Sequence, residues 1–288
     1  MISVGKLQPS KRAARDLLEL RDIAVNAALR AAELIRFRRG AGVDVAYSKS
    51  TATDIVTAVD REAEQLIRSL MASARPDDGF IGEEFEASPS RSGISWVVDP
   101  IDGTVNFLYG LAPYAVSIAA IEGDPAGHWQ PLAGAVVNVT DQRVYSAAAG
   151  SGAYCDGRRL IVGKTSDLAI SLLATGFSYA APDRAKQIKV IGRLIEDVRD
   201  IRRIGCASLE ICAVAAGAID AYYDRGLKPW DYSAATLIAR EAGAIVRGWN
   251  SDQPNEALTV AGNAHLVEAL QPKIQEWMEE EGLELTSP

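Results

Sequence analysis

The spacing of hydrophobic residues changes along the chain, and the change separates two kinds of predicted structure. Over residues 10–39 apolar side chains recur every three or four positions between arginines and glutamates, which predicts a long amphipathic helix. The same spacing predicts a second helix over 57–74, before Pro76. Alternating and β-branched residues then predict an antiparallel sheet, with a hairpin turn at 140–143. Its strands are 114–121, 132–139 and 144–148.

Strands and helices alternate beyond residue 163. The predicted strands are 171–175, 201–204, 218–223, 244–247 and 258–261. The predicted helices are 184–198, 208–216, 233–242 and 264–278. Because no long polar linker divides the sequence, we expect one compact α/β unit. Its N-terminal α+β half would be residues 1–163, and its C-terminal α/β half residues 164–288.

A short apolar run, Trp96-Val97-Val98, ends in the acidic segment Asp99-Pro100-Ile101-Asp102-Gly103-Thr104. Proline cannot donate to a strand ladder and glycine permits a tight backbone, so the pattern predicts a buried strand that stops at Asp99. Two carboxylates three residues apart can share an oxygen-ligated cation such as Mg²⁺, Mn²⁺ or Ca²⁺. The alternative is a turn in which both aspartates accept hydrogen bonds from nearby backbone donors.

A second short apolar run also ends in acids. Phe80-Ile81-Gly82-Glu83-Glu84 follows the loop-forming segment Pro76-Asp77-Asp78-Gly79. If the two runs are neighbouring strands, their carboxylates would lie at one edge of a sheet. This second run favours a metal site over an isolated turn.

Composition limits the classes of partner and compartment. A net charge of −8 and a pI near 5.0 argue against a general nucleic-acid surface, which needs a basic face. The three cysteines, Cys155, Cys206 and Cys212, and the two histidines, His128 and His265, fit neither a disulfide framework nor a zinc site. No segment reaches ~18 uninterrupted apolar residues and no signal-peptide pattern opens the chain, so we expect a cytoplasmic protein without membrane contact.

Three motifs together resemble the inositol monophosphatase family. They are Gly82-Glu83-Glu84, the Asp99–Thr104 segment continuing into Asn106-Phe107, and Trp230-Asp231, in the order and at the separations typical of that family. The resemblance covers about residues 16–270. It implies an α/β fold, the layered αβαβα sandwich shared with fructose-1,6-bisphosphatase, and a lithium-sensitive, magnesium-dependent phosphomonoesterase that forms a homodimer.

The resemblance also implies a set of metal ligands: Glu83, Asp99, the carbonyl of Ile101, Asp102 and Asp231. Asp99 would bridge two ions, with Glu83 and Ile101 on the first and Asp102 and Asp231 on the second. A third ion would be held by Glu83 and water, which gives two or three Mg²⁺ per site. Mn²⁺ is the alternative metal, whereas Ca²⁺ and Li⁺ are expected to inhibit. For Asp231 a second interpretation stays open, the N-cap of a helix.

Catalytic roles follow from the same resemblance. Thr104 would orient the attacking water, with Asp54 hydrogen-bonded to its hydroxyl and Glu83 acting through the first metal. The phosphoryl group would contact the backbone N–H groups of Gly103 and Thr104. Lys49 would add positive charge or would be a solvated loop residue.

Gly205, Cys206, Ala207 and Asp224 align with the family's contacts to the alcohol portion of the substrate. Asp224 stands where many relatives carry glutamate, and it would accept hydrogen bonds from vicinal hydroxyls of a polyol. Cys206 replaces a hydroxylated residue, which puts strict inositol specificity in doubt. The other interpretation of Cys206 is a small buried hydrophobic residue.

The predicted function is Mg²⁺-dependent hydrolysis of a small phosphorylated polyol or sugar, first of all inositol 1-phosphate, by direct in-line attack of water. Alternative substrates are histidinol phosphate, fructose 1,6-bisphosphate and nucleotides such as 3′-phosphoadenosine 5′-phosphate or NADP. A different class of function is a non-catalytic role beside RNA polymerase or in ribosome assembly. The acidic composition argues against direct nucleic-acid binding in that role.

Overall fold

The computed structural model describes residues 12–40, 45–48, 55–124 and 127–283. Helices in this part of the chain are α1 (Ala14–Gly40), α2 (Ala58–Ala74), α3 (Thr104–Tyr109), α4 (Ala181–Asp197), α5 (Ala207–Ala215), α6 (Pro229–Glu241) and α7 (Ala264–Glu280). A 3₁₀ turn covers Leu168–Ile170. The long helices lie where the hydrophobic spacing predicts them, whereas α3 was not predicted.

The strands run in the order β1 (Val45–Ser48), β2 (Ile55–Thr57), β3 (Gly79–Gly82), β4 (Ile94–Asp102), β5 (Ala115–Gly123), β6 (Trp129–Asn138), β7 (Val144–Ala148), β8 (Ala153–Cys155), β9 (Arg158–Arg159), β10 (Leu172–Thr175), β11 (Asp200–Arg202), β12 (Ala221–Asp224), β13 (Ile245–Arg247) and β14 (Thr259–Gly262). β1 and β2 pair with each other. The remaining strands form two sheets.

The first sheet has seven strands in the order β3-β4-β5-β6-β7-β8-β9. β3 and β4 pair in parallel, and the other neighbours pair antiparallel, including the predicted β6–β7 hairpin. The sequence predicted that β4 stops at Asp99, and this prediction is wrong. Its pairing with β5 is interrupted after Asp99 and resumes at Asp102 opposite Ala115, so the strand accommodates Pro100 within this irregularity.

The second sheet has five strands in the order β11-β10-β12-β14-β13. β10 is parallel to both β11 and β12, while β14 runs antiparallel to β12 and β13. All five strands come from the chain after residue 171, whereas the seven-stranded sheet is built before residue 160. Gly163 lies in the segment between β9 and β10.

Three buried clusters define five layers. α1 and α2 pack on one face of the seven-stranded sheet around Leu20, Ile35 and Ile67. α5 and α6 lie between the sheets and bury residues such as Ile211 and Ile238. The third cluster packs α4 and α7 on the far face of the five-stranded sheet. The order helix, sheet, helix, sheet, helix confirms the predicted αβαβα sandwich.

The middle layer explains the apolar composition of α5 and α6. A helix enclosed between two sheets is buried on most of its circumference and cannot keep a polar face. From Tyr232 to Ala239 every residue of α6 is buried. None of the described helices is both long and apolar enough to cross a membrane.

Candidate active site

A cleft of about 630 Å³ contains nearly all of the predicted site residues. The predicted residues that line it are Glu83, Asp99, Ile101, Asp102, Gly103, Thr104, Gly205, Cys206, Ala207, Asp224 and Asp231. Lys49 and Asp54, the other two predicted residues, lie outside the described part of the chain. Residues from both sheets and from α3, α5 and α6 therefore meet in one place.

The parallel pairing of β3 and β4 explains why two acidic segments meet. Gly82 at the end of β3 lies opposite Val98, so the carboxyl ends of both strands face the same edge. Glu83 follows β3 directly, and Asp99 follows Val98. Asp99 is buried, and its carboxylate accepts a hydrogen bond from the N–H of Ile101 at 2.9 Å. The backbone contact expected of a turn is thus present, and Asp99 also lines the cleft together with Glu83.

Asp102 points at the beginning of α5. Its oxygens accept hydrogen bonds from the backbone N–H groups of Ala207 (3.2 Å) and Ser208 (2.6 Å), and from the hydroxyl of Ser208 (2.5 Å). The thiol of Cys206 donates to the same carboxylate at 3.2 Å. Burial raises the pKa of Asp102 and these donors oppose the rise. Sequence reasoning missed Ser208, although a hydroxyl two positions after Cys206 was the available signal.

The sequence left two interpretations of Cys206 open, a residue of the substrate site and a small buried hydrophobic residue. Its position is compatible with both. It is buried at 1% exposure, as a small apolar residue would be, and it also lines the cleft. Burial raises the pKa of its thiol, so the group is a neutral donor toward Asp102.

Asp231 is the third residue of α6, because the helix begins at Pro229, earlier than the predicted residue 233. The N-cap interpretation of Asp231 is therefore wrong. Its carboxylate instead accepts a hydrogen bond from the N–H of Lys228, the actual N-cap, at 2.7 Å. Burial and then the charges of Glu83 and Asp102 raise the pKa of Asp231. The helix start thus brings a fourth carboxylate toward the β3–β4 edge.

Thr104 opens α3 directly after Gly103, whose φ of +92° lies in the left-handed region that favours glycine. The Thr104 hydroxyl donates to the carbonyl of Ile101 at 3.0 Å and lies 3.4 Å from Oδ1 of Asp60. Asp60 is the acidic neighbour of Thr104 within the described residues. The predicted partner, Asp54, lies outside them.

Asp60 also belongs to the capping box of α2. Its carboxylate accepts hydrogen bonds from the N–H and the hydroxyl of Thr57, the N-cap, while the Thr57 hydroxyl accepts from the first turn. Burial raises the pKa of Asp60 to about 7, against the lowering effect of Thr57. The pattern Thr57-x-x-Asp60 at a helix start was the signal that sequence reasoning overlooked.

Asp224 ends β12 on the opposite wall of the cleft. Tyr222 donates its hydroxyl to one Asp224 oxygen at 2.9 Å, and the N–H of Arg225 donates to the other at 2.7 Å. Burial raises the pKa of Asp224 to about 6. Each carboxylate oxygen still has a lone pair for a further donor, which is compatible with the predicted contact to substrate hydroxyls.

Two further side chains, those of Asn106 and Ser117, connect the walls of the cleft. The amide of Asn106 donates to the carbonyls of Pro113 and Ile204, both at 2.9 Å, and so connects α3 to the loop before Gly205. The hydroxyl of Ser117 on β5 donates to the carbonyl of Trp230 at 3.3 Å. Trp230 is half-buried, packs against the core and lines the cleft.

The donor set suits a hard divalent cation. Glu83, Asp99, Asp102 and Asp231 supply only oxygen atoms. Burial and then the charges of Glu83 and Asp102 raise the pKa of Asp231, and a bound cation would favour its ionised form. Among the described residues, no three acidic, histidine or cysteine side chains are grouped closely enough to hold one ion as they stand. The Asp102 carboxylate, which faces α5, would have to turn toward an ion in the cleft.

Comparison with known proteins identifies a family. Residues 16–281 match the model of the inositol monophosphatase family. Inositol-1-monophosphatase SuhB of Mycobacterium tuberculosis is 44% identical over 246 residues, which cover 79% of this chain and 83% of that protein. The Nus factor SuhB of Escherichia coli is 36% identical over 255 residues, covering 86% and 93%.

A solved structure gives the same result for the fold. The extragenic suppressor protein suhB of Bartonella henselae superposes with a TM-score of 0.80 at 32% identity, covering 88% of this chain and 98% of that one. The family-model match over residues 16–281 spans both sheets and every element that lines the cleft. The chain therefore belongs to the inositol monophosphatase family.

Proposed function

We propose that the protein is a Mg²⁺-dependent phosphomonoesterase that hydrolyses inositol 1-phosphate or a similar phosphorylated polyol. The observation that carries the proposal is the convergence of Glu83, Asp99, Asp102 and Asp231 on the cleft that also contains Thr104 and Asp224. Family membership supports phosphatase chemistry and metal dependence. The polyol, rather than a nucleotide, is our inference from the carboxylate of Asp224.

The four acids and the carbonyl of Ile101 would hold the cations. A bound divalent cation would supply a more acidic water molecule and would stabilise negative charge on the phosphoryl and leaving oxygens. Mg²⁺ is the preferred metal and Mn²⁺ the alternative, because both favour oxygen ligands. From the family alone we expect inhibition by Li⁺ and Ca²⁺.

Thr104 and Asp60 would orient the attacking water. The Thr104 hydroxyl donates toward the Ile101 carbonyl and Asp60, so its lone pairs remain to accept a hydrogen bond from water. Asp60 in its ionised form can accept the hydroxyl proton. The N–H groups of Gly103 and Thr104 at the beginning of α3 would contact the phosphoryl oxygens, since the first N–H groups of a helix have no intrahelical acceptor.

The alcohol portion would lie between the 205–207 segment and Asp224. Tyr222 and the N–H of Arg225 fix the Asp224 carboxylate, which can then accept hydrogen bonds from hydroxyl groups of the substrate. Because the Asp224 side chain is already fixed, it loses little freedom when a substrate binds, and this favours a polyol whose hydroxyl groups can donate to it. Histidinol phosphate, fructose 1,6-bisphosphate and nucleotides are the competing substrates.

Phosphate release tests the proposal directly. With inositol 1-phosphate we expect turnover that requires Mg²⁺ and disappears in EDTA. Asp99→Asn should abolish this turnover while the circular dichroism spectrum and melting temperature stay near wild type, because the substitution removes a charge from the site and keeps the shape of the side chain. The absence of metal-dependent turnover on any member of a panel of small phosphomonoesters would refute the enzyme assignment.

The similarity to the Nus factor SuhB of E. coli supports a second candidate, a non-catalytic role in a transcription or ribosome-assembly complex. The net charge of −8 favours a protein contact over direct RNA binding in such a complex. The Asp99→Asn variant separates the two candidates in cells. Retained cellular function would support the non-catalytic role, and lost function would support the phosphatase.

The remaining parts of the proposal rest on family membership for the homodimer and on the sequence pattern for the compartment and the two halves. We infer a homodimer that works in the cytoplasm. The division into an N-terminal half, residues 1–163, and a C-terminal half, residues 164–288, remains our prediction for how the chain is organised.

A further inference from the structure

Glu64 is a buried acid of α2 with no role in the mechanism above. Its side chain is fully buried and faces residues 82–84, the corner at the end of β3. One carboxylate oxygen accepts a hydrogen bond from the N–H of Glu84 at 2.7 Å. Glu84 immediately follows Glu83, so this bond fixes the backbone on one side of a proposed metal ligand.

The other side of Glu83 is held by close packing. A methyl group on Gly82 would overlap the carboxylate of Glu64, so the absence of a side chain at Gly82 lets the acid lie directly against the backbone. Glu64 thus contacts the residue before Glu83 and the residue after it. This places the carboxylate where it can set the direction in which Glu83 leaves the strand.

Arg68 extends the contact along the same corner. Its guanidinium lies 3.3 Å from Glu64, one helical turn away, and 4.2 Å from the centroid of the Phe80 ring on β3. It also donates to the carbonyl of Glu86 at 3.1 Å. Glu64 and Arg68 therefore attach α2 to the chain before, within and after the corner.

We propose that Glu64 is a positioning residue that, with Arg68, fixes the 82–84 corner so that Glu83 is held ready to bind a divalent cation. This inference rests on the proposed metal-dependent function. A ligand that is already oriented loses less conformational entropy when it binds, so its support contributes to affinity although it never touches the ion. Glu64 would thereby tune metal binding more than the chemical step.

The test measures Mn²⁺ binding to the full chain by calorimetry, without substrate. Glu64→Met, which keeps the length of the side chain but removes both acceptor oxygens, should weaken Mn²⁺ binding by about 10–100-fold. Glu64→Gln keeps one acceptor for the N–H of Glu84 and should recover most of the affinity. The matched control is Glu62→Gln, because Glu62 lies on the same helix but pairs with Arg38 away from the corner.

Kinetics supply a second readout that general destabilisation would not produce. In Glu64→Met the Mg²⁺ concentration for half-maximal turnover should rise in parallel with the loss of Mn²⁺ affinity, while kcat at saturating Mg²⁺ should change far less. Wild-type Mn²⁺ affinity in a folded Glu64→Met protein would overturn the inference. If that variant does not fold, Arg68→Met decides: weakened Mn²⁺ binding supports the inference and wild-type binding overturns it.

The same experiment distinguishes the two proposals. Absence of Mn²⁺ uptake by the wild-type chain would count against the proposed metal-dependent function itself. Uptake by the wild-type chain with equal affinity in Glu64→Met would leave that function intact and remove only the role of Glu64.

Discussion

Asp60 connects helix capping to the proposed chemistry through a single carboxylate. One oxygen accepts hydrogen bonds from Thr57 and closes the capping box of α2, and the other lies 3.4 Å from the hydroxyl of Thr104. Burial raises its pKa to about 7, so the carboxylate changes its protonation state near neutral pH. Only the ionised form can accept a proton from Thr104.

Asp60→Asn should lower kcat by about 10²-fold with little change in KM, because the amide cannot accept the Thr104 proton as a base would. Wild-type kcat should also decrease as the pH drops below the Asp60 pKa of about 7, and the variant should lose this dependence. Steady-state kinetics from pH 5.5 to 8.5 measure both effects. Unchanged kcat in Asp60→Asn would show that Asp60 serves only the helix cap.

At the scale of residues, the sequence indicated the acids at the strand ends, but it did not indicate Asp60, Glu64 or the groups that hold the acids in place. Strand ends and motif spacing indicated Asp99 and Asp102, because both signals lie within a few neighbouring residues. The contact between Ser208 and Asp102 joins positions 106 residues apart, and a local pattern does not show that α5 is brought to β4. Tyr222 lies only two positions from Asp224, but an alternating strand pattern does not show that its hydroxyl donates to that carboxylate.

The element that most directly supports the site is the first turn of α2. Thr57 is fully buried and its hydroxyl accepts hydrogen bonds from the N–H groups of Val59 and Asp60. These donors would otherwise be unsatisfied at a helix start. The cap therefore stabilises α2 and fixes the direction of the Asp60 side chain at the same time.

Thr57→Ala should reduce the free energy of unfolding by about 1 kcal/mol, the typical cost of losing an N-cap side chain. Urea unfolding measures the change, and Thr57→Ser is the matched control because it retains the capping oxygen. We expect kcat to decrease much less than in Asp60→Asn, since Asp60 keeps its charge. Equal stability of the Ala and Ser variants would contradict a stabilising role of the cap.

The elements themselves were predicted with different success for identifiable reasons. Long amphipathic helices such as α1 carry many spaced apolar residues, so their existence was predicted and only their ends shifted. The predicted end of β4 was wrong because a proline was taken as an end signal. The predicted start of α6 was wrong because helix periodicity was taken as the start signal. Pro100 is accommodated by the interrupted pairing, and Pro229 occupies the first helical position, where proline is well tolerated.

The whole molecule buries several acids around one cleft, and this has a consequence for its stability. Burial raises the pKa of Glu210 from 4.5 to about 8 and that of Asp224 from 3.8 to about 6. The folded protein therefore binds protons more tightly than the unfolded chain in this range. Stability must decrease as the pH rises from the unfolded pKa values toward the folded ones.

In EDTA we expect the melting temperature to be lower at pH 8.5 than at pH 6. Glu210→Gln should make this decrease smaller, because the amide can still accept the hydrogen bond from Ile204 but does not ionise. The exposed Glu276→Gln is the control and should follow the wild type. Calorimetric melting curves at both pH values provide the measurement, and a wild-type melting temperature that rises with pH would contradict the argument.

Five layers and two sheets agreed with the expectation drawn from motif resemblance, whereas hydrophobic spacing alone predicted only a mixed α/β protein. The spacing of hydrophobic residues indicates which face of a helix or strand is buried. It does not indicate which other element covers that face. The order of strands in the second sheet, with β14 between β12 and β13, depends on such long-range choices.

The hydrogen bonds between Asp102 and α5 have a consequence for any attempt to divide the chain. A carboxylate from the first sheet is solvated by backbone groups that belong to the opposite half of the sequence. A fragment ending before residue 164 would leave this acid without its donors, and the complementary fragment would leave a helix start without its anion. Neither piece alone contains all of the residues that line the cleft, so activity from a split gene would require both fragments to associate.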